Sequence, residues 1–117
     1  MSLRHHVLLV EDDELISGIL QEFLDEAYEV SCVSTAEQAL AEIAGHPVDL
    51  VLLDFHLSGG NGQRVAEYST EVSVPVIWMT GDPEAARNVL DHSHVLLAKP
   101  FSVSLLEKTL TDALASR

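Results

Sequence analysis

Apolar and polar positions fall into blocks along the chain. Residues 7–10 form an unbroken apolar run, after which Leu15, Ile16, Ile19, Leu20, Phe23 and Leu24 recur at helical spacing. The stretch YEVSCVS (28–34) alternates apolar with polar and predicts a half-buried strand. Ala36, Ala39, Leu40 and Ile43 mark a second helix, which Gly45 and Pro47 end. VDLVLLDF (48–55), VPVIWMT (74–80) and HVLLAK (94–99) read as three further strands. Between them lie a weak helical pattern after Gly62, around residues 65–68, and a helix opened by Pro83, a good first-turn residue. A last helix starts near Ser102, a plausible cap, with Val103, Leu106, Leu110 and Ala113 on one face. The stripe of the first helix predicts a core face.

Five strands alternating with five helices imply parallel strands joined by right-handed crossovers, with helices on both faces. Continuous apolar strands suit a sheet buried on both sides. The expected fold is a doubly wound α/β sandwich. A flavodoxin-like 2-1-3-4-5 strand order is expected, although alternation alone does not fix it. With 117 residues the chain fits one domain, residues 1–117.

In such folds ligands bind beyond the carboxyl ends of the strands. The first strand ends in Glu11-Asp12-Asp13, the third in Asp54, the fourth in Thr80 and the fifth in Lys99-Pro100. All converge on one edge. Carboxylates gathered there repel one another, which favours a hard cation; with few nitrogen or sulfur neighbours, Mg²⁺ or Mn²⁺ fits. Each residue alone has an ordinary reading: acids before a helix as caps, a threonine as a turn residue, a lysine as a solvated charge. Their joint position at one sheet edge needs several coincidences under that reading.

Composition narrows the function classes. The net charge is −13 with only 6 Lys and Arg, which argues against direct nucleic-acid binding by this domain. One cysteine, Cys32, excludes an internal disulfide and fits a reducing compartment. No apolar run is long enough to span a bilayer, and no secretory segment is evident, so a cytoplasmic, membrane-free setting is expected.

The segments VLLVEDD, VDLVLLDFHLSGGNG, VPVIWMTG and LLAKPF, in this order, resemble the receiver domain of two-component response regulators over essentially the whole chain. The resemblance implies that Asp54 is the phosphoacceptor and that the domain is a signalling switch, not a conventional enzyme. It implies that Asp12 touches the metal directly and Glu11 through water, with the backbone carbonyl of His56 completing the protein ligands. Thr80 would hold a phosphoryl oxygen. Lys99 would pair with Asp54 when empty and with the phosphoryl group when loaded, and the Lys99-Pro100 peptide would be cis. Asp13 and Glu14 would be first-turn helix residues. The implied partners are a histidine kinase or histidine phosphotransfer protein upstream, and an output domain or protein partner downstream.

The chain departs from the family pattern at Ser58, where proline is usual, read here as a looser turn that removes no chemical group. It also departs at Leu96, where Tyr or Phe is usual, and in the short segment between Thr80 and Lys99. His92 and His94 read as loop histidines rather than metal ligands. Two rival readings stay open: an aspartate-nucleophile phosphatase of haloacid-dehalogenase type, and a receiver-like interaction module that is never phosphorylated.

Overall fold

The computed structural model describes residues 4–90 and 94–115, so the expectation for His92 lies outside the described residues. Five strands alternate with five helices: β1 (His6–Val10), α1 (Glu14–Leu24), β2 (Glu29–Val33), α2 (Ala36–Gly45), β3 (Leu50–Asp54), α3 (Gly62–Glu71), β4 (Val76–Thr80), α4 (Pro83–Val89), β5 (Val95–Ala98) and α5 (Val103–Ala115). All strand pairs are parallel and the order is β2-β1-β3-β4-β5, as expected for the doubly wound fold. No helix among the described residues is long and apolar enough to cross a membrane.

Side chains alternate across a strand, so each apolar run feeds two cores. Leu8, Val10, Val51, Leu53 and Trp78 pack with Ala39 and Ile43 of α2, Val65 of α3 and Ala86 of α4. Val7, Leu9, Leu50, Leu52, Ile77 and Met79 pack with Leu20 and Leu24 of α1 and Leu106 and Leu110 of α5. The central strand β3 is buried at every position. Its carboxyl end is therefore fixed from both faces, and that end is where Asp54 sits.

The helix starts are specified locally. Asp13 caps α1 by accepting from the Leu15 and Ile16 backbone N–H groups. Thr35 caps α2 and Asp82 caps α4, where Pro83 occupies the first turn. α3 is a full ten-residue helix, stronger than its weak pattern suggested. α4 has only seven residues, in keeping with the short segment between Thr80 and Lys99.

The stripe of α1 is a correction to the sequence reading. Leu20 and Leu24 are buried, but Leu15, Ile19 and Phe23 are 74%, 49% and 47% exposed. The apolar band is wider than the strip the sheet can cover, so its far half faces solvent beside Phe101 and Val103. At the opposite edge of the sheet from Asp54, His6 ties three segments together. Its ring nitrogens lie 2.9 Å from the Pro47 carbonyl and 2.7 Å from the Ser31 hydroxyl. Its backbone N–H donates to Asp49 at 2.8 Å.

Candidate functional site

Four strand ends build one acidic cleft. Glu11 follows β1, and its backbone N–H donates to the Val33 carbonyl at 3.1 Å, which extends the ladder by one residue. Its side chain turns inward and the residue is only 3% exposed. Asp54 ends β3 and is 5% exposed; Thr80 ends β4 and is fully buried. On the far side the Lys99 backbone N–H donates to the Thr80 carbonyl at 2.7 Å, and the Lys99-Pro100 peptide is cis, as the resemblance implied.

One carboxylate oxygen from each of Glu11, Asp12 and Asp54 lies within 4.8 Å of the others. Lys99 Nζ reaches into this group. It donates to Glu11 Oε1 at 3.0 Å and stands 3.5 Å from Asp54 Oδ1. The resemblance gave Asp54 as its partner in the empty state; in the structure Glu11 is the nearer acid. Asp54 Oδ1 also accepts the His56 backbone N–H at 3.1 Å. Asp13 is spent as the α1 cap, and Glu14 is the first residue of that helix.

Electrostatics sets Glu11 and Asp12 apart. Burial, together with the adjacent Asp54 carboxylate, pushes the Glu11 carboxyl up to about 7, against the pull of Lys99. Asp12 moves the other way, held below the usual aspartate range by hydrogen bonds from Ser58. Burial works against the charge of Lys99, but Glu11 and Asp54 outweigh it and raise its pKa. Glu11 Oε2 is buried without a hydrogen-bond partner. A buried carboxylate oxygen in that condition is costly, and a cation among three carboxylates would satisfy it. The all-oxygen donor set fits a hard divalent ion.

Two residues of the loop after β3 play parts that motif reasoning did not assign to them. Ser58 donates its backbone N–H to Asp12 Oδ2 at 3.1 Å. Proline has no such N–H. The substitution, read in the sequence as removing no chemical group, also supplies a donor. The sequence shows that a donor is present, since any residue other than proline carries one, but not that Asp12 is what it meets. The turn itself is made by consecutive residues at positive φ, Gly59 (84°), Gly60 (75°) and Asn61 (66°), where two glycines avoid the steric penalty. The second residue is His56, whose Nε2 lies 3.4 Å from Thr80 Oγ1. Its ring meets Phe55 edge-on at 5.1 Å, and Phe55 meets Trp78 at 5.7 Å.

The sequence profile of the response regulator receiver domain matches residues 7–111. The chain belongs to this family. Among relatives of this receiver domain, the transcriptional regulatory protein AruR of Pseudomonas aeruginosa is 43% identical over 88 residues, 69% of this chain and 36% of that protein. The regulatory protein VanRB of Enterococcus faecalis is 34% identical over 122 residues, covering 100% of this chain and 54% of its own length. The receiver domain thus spans less than two thirds of either relative. A crystal structure of the signal receiver domain of an HD domain-containing protein from Pseudomonas fluorescens Pf-5 matches with a TM-score of 0.86 at 29% identity. That match covers 99% of this chain and 90% of the other. The haloacid-dehalogenase reading is set aside by the family membership. The domain is a phosphorelay signalling module of the two-component type.

Proposed function

We propose that Asp54 is the phosphoacceptor of this receiver domain and that residues 1–117 form one switch unit. The observation that carries the proposal is the cluster of Glu11, Asp12 and Asp54 oxygens within 4.8 Å, with Lys99 touching two of the three acids. Asp54 attacks the phosphorus of a phosphohistidine on a histidine kinase or phosphotransfer protein. A P–O bond forms to the Asp54 carboxylate as the P–N bond breaks, and the imidazole leaves with the bonding pair. Lys99 holds one phosphoryl oxygen and the Thr80 hydroxyl another. Through these contacts the domain assists its own loading and unloading. Glu11, Asp12, Asp54 and the backbone carbonyl of His56 would hold Mg²⁺ or Mn²⁺, with Asp12 in direct contact and Glu11 through water. The ion, when bound, offsets negative charge on the transferring oxygens. A loaded Asp54 carries more charge and more acceptor oxygens, which draw Thr80 inward and reshape the surface read by an output domain or partner. The setting proposed is cytoplasmic, with no nucleic acid bound by this domain itself.

Intact-mass measurement after incubation with acetyl phosphate and Mg²⁺ tests the proposal. A receiver gains one labile phosphoryl group. Steady release of phosphate without accumulation would instead indicate turnover, and an unchanged mass would indicate a silent module.

Metal binding has a built-in reporter. Trp78 is the only tryptophan, and its ring packs beside Gly62, across from the Asp54 carbonyl. Mg²⁺ should change its emission. Asp12→Asn should shift that titration to higher Mg²⁺ by roughly tenfold or more, since an anionic ligand is lost. Superimposed titrations would remove Asp12 from the ligand set.

A further inference from the structure

Thr80 is fully buried, and its hydroxyl has two close polar neighbours. The Asp82 backbone N–H donates to Oγ1 at 3.0 Å, and the His56 ring nitrogen Nε2 lies 3.4 Å away. A hydroxyl offers one proton and two lone pairs. The Asp82 N–H occupies a lone pair. A bare Nε2 takes the proton. That same proton is the one Thr80 needs to hold a phosphoryl oxygen on Asp54. The ring and the phosphoryl group therefore compete for one O–H.

We infer that His56 is a latch on Thr80. Its ring holds the Thr80 hydroxyl while Asp54 is free and releases it when Asp54 is loaded. The inference rests on the phosphoacceptor reading of Asp54 and Thr80 and adds a positioning residue to it. Three features equip His56 for the task. Its backbone N–H is pinned to Asp54 Oδ1 at 3.1 Å, so the ring is anchored at the acceptor. Phe55 stands edge-on against the ring at 5.1 Å with the planes 88° apart, which restricts the ring on that side. The His56 side is exposed, so a released ring swings into solvent without opening a cavity. Leu96 supplies no ring on β5, where the family usually has one. The ring that changes place on loading is then His56, beside the acceptor. The surface that changes lies in the loop after β3 and at residues 80–82, along one rim of the cleft.

The latch requires the His56 tautomer with its proton on Nδ1, and this is measurable in the unmodified protein by ring ¹⁵N shifts. Beryllofluoride with Mg²⁺, a mimic of the acyl phosphate, should move the His56 ring and Thr80 resonances together. His56→Phe keeps a ring against Phe55 without the nitrogen. In this variant the amides of residues 80–82 in the free protein should shift toward their loaded positions. Beryllofluoride should bind about fivefold more tightly, the scale of one lost hydrogen bond. His56→Gln, which restores an acceptor at similar reach, should return both readouts toward the parent. A proton on Nε2 in the free protein, or His56→Phe superimposing on the parent in both readouts, overturns the latch alone. A parent that shows no response to beryllofluoride overturns the phosphoacceptor reading and the latch with it.

Discussion

Asp54→Asn should take up no phosphoryl group from acetyl phosphate, and without Mg²⁺ it should be more stable than the parent. The first effect is complete because a carboxamide is not a competent nucleophile toward phosphorus at neutral pH. The second follows from the charges around Glu11. Asp54 is one of the groups that push the Glu11 carboxyl up to about 7. Asparagine removes that repulsion, and its side-chain oxygen can still accept the His56 backbone N–H that Asp54 accepts at 3.1 Å. Lys99 loses its 3.5 Å ion pair with Asp54 but keeps the shorter 3.0 Å bond to Glu11. A gain of about 1 kcal/mol in chelator is expected, on the scale of a relieved close charge pair. In saturating Mg²⁺ the order should reverse, because the parent alone keeps all three anionic ligands. Intact mass and urea unfolding read the two effects. Stoichiometric labelling of the variant would remove Asp54 from its role, and a variant less stable than the parent in chelator would refute the charge argument.

The metal-free domain should also lose stability as pH rises from about 5 to above 7. A carboxyl raised from 4.5 to about 7 by folding binds its proton more tightly in the native state. Its contribution is fully present below the unfolded value and is lost as pH climbs through the folded one. A displacement of that size corresponds to roughly 3 kcal/mol. Asp12 has the opposite sign, but its window lies below 3.8, outside this range. Lys99, raised above 10.5, keeps its charge throughout. The background of a chain at −13 is common to the parent and to Glu11→Gln, so the difference between their pH slopes isolates Glu11. Urea midpoints in chelator should fall with pH for the parent and run flatter for Glu11→Gln. Mg²⁺ should flatten the parent as well, because binding displaces the proton. Parallel slopes for the two proteins would contradict the assignment.

The sheet was legible because four of its five strands carry continuous apolar runs and those four end in polar residues, while β2 shows itself by alternation. Glu11, Asp12, Asp54, Thr80 and Lys99 stand at positions a parallel sheet must bring to one edge, and the structure gathers them there. Three features were not legible. The periodicity of α1 gives the direction of its apolar face but not its width relative to the sheet, so Leu15, Ile19 and Phe23 read as core and are exposed. The nearer partner of Lys99 depends on how far Glu11 turns inward, which sequence spacing does not encode. The roles of Ser58 and the His56 ring come from loop geometry. The residues they meet, Asp12 and Thr80, lie 46 and 24 positions away.

The contact between Ser58 and Asp12 bears on how this domain can be recombined with its relatives. A loop borrowed from a member with proline at this place would bring an equivalent acceptor aspartate but no N–H for Asp12. The graft would look conservative by every motif and still leave the acid after β1 without the backbone donor that steadies it.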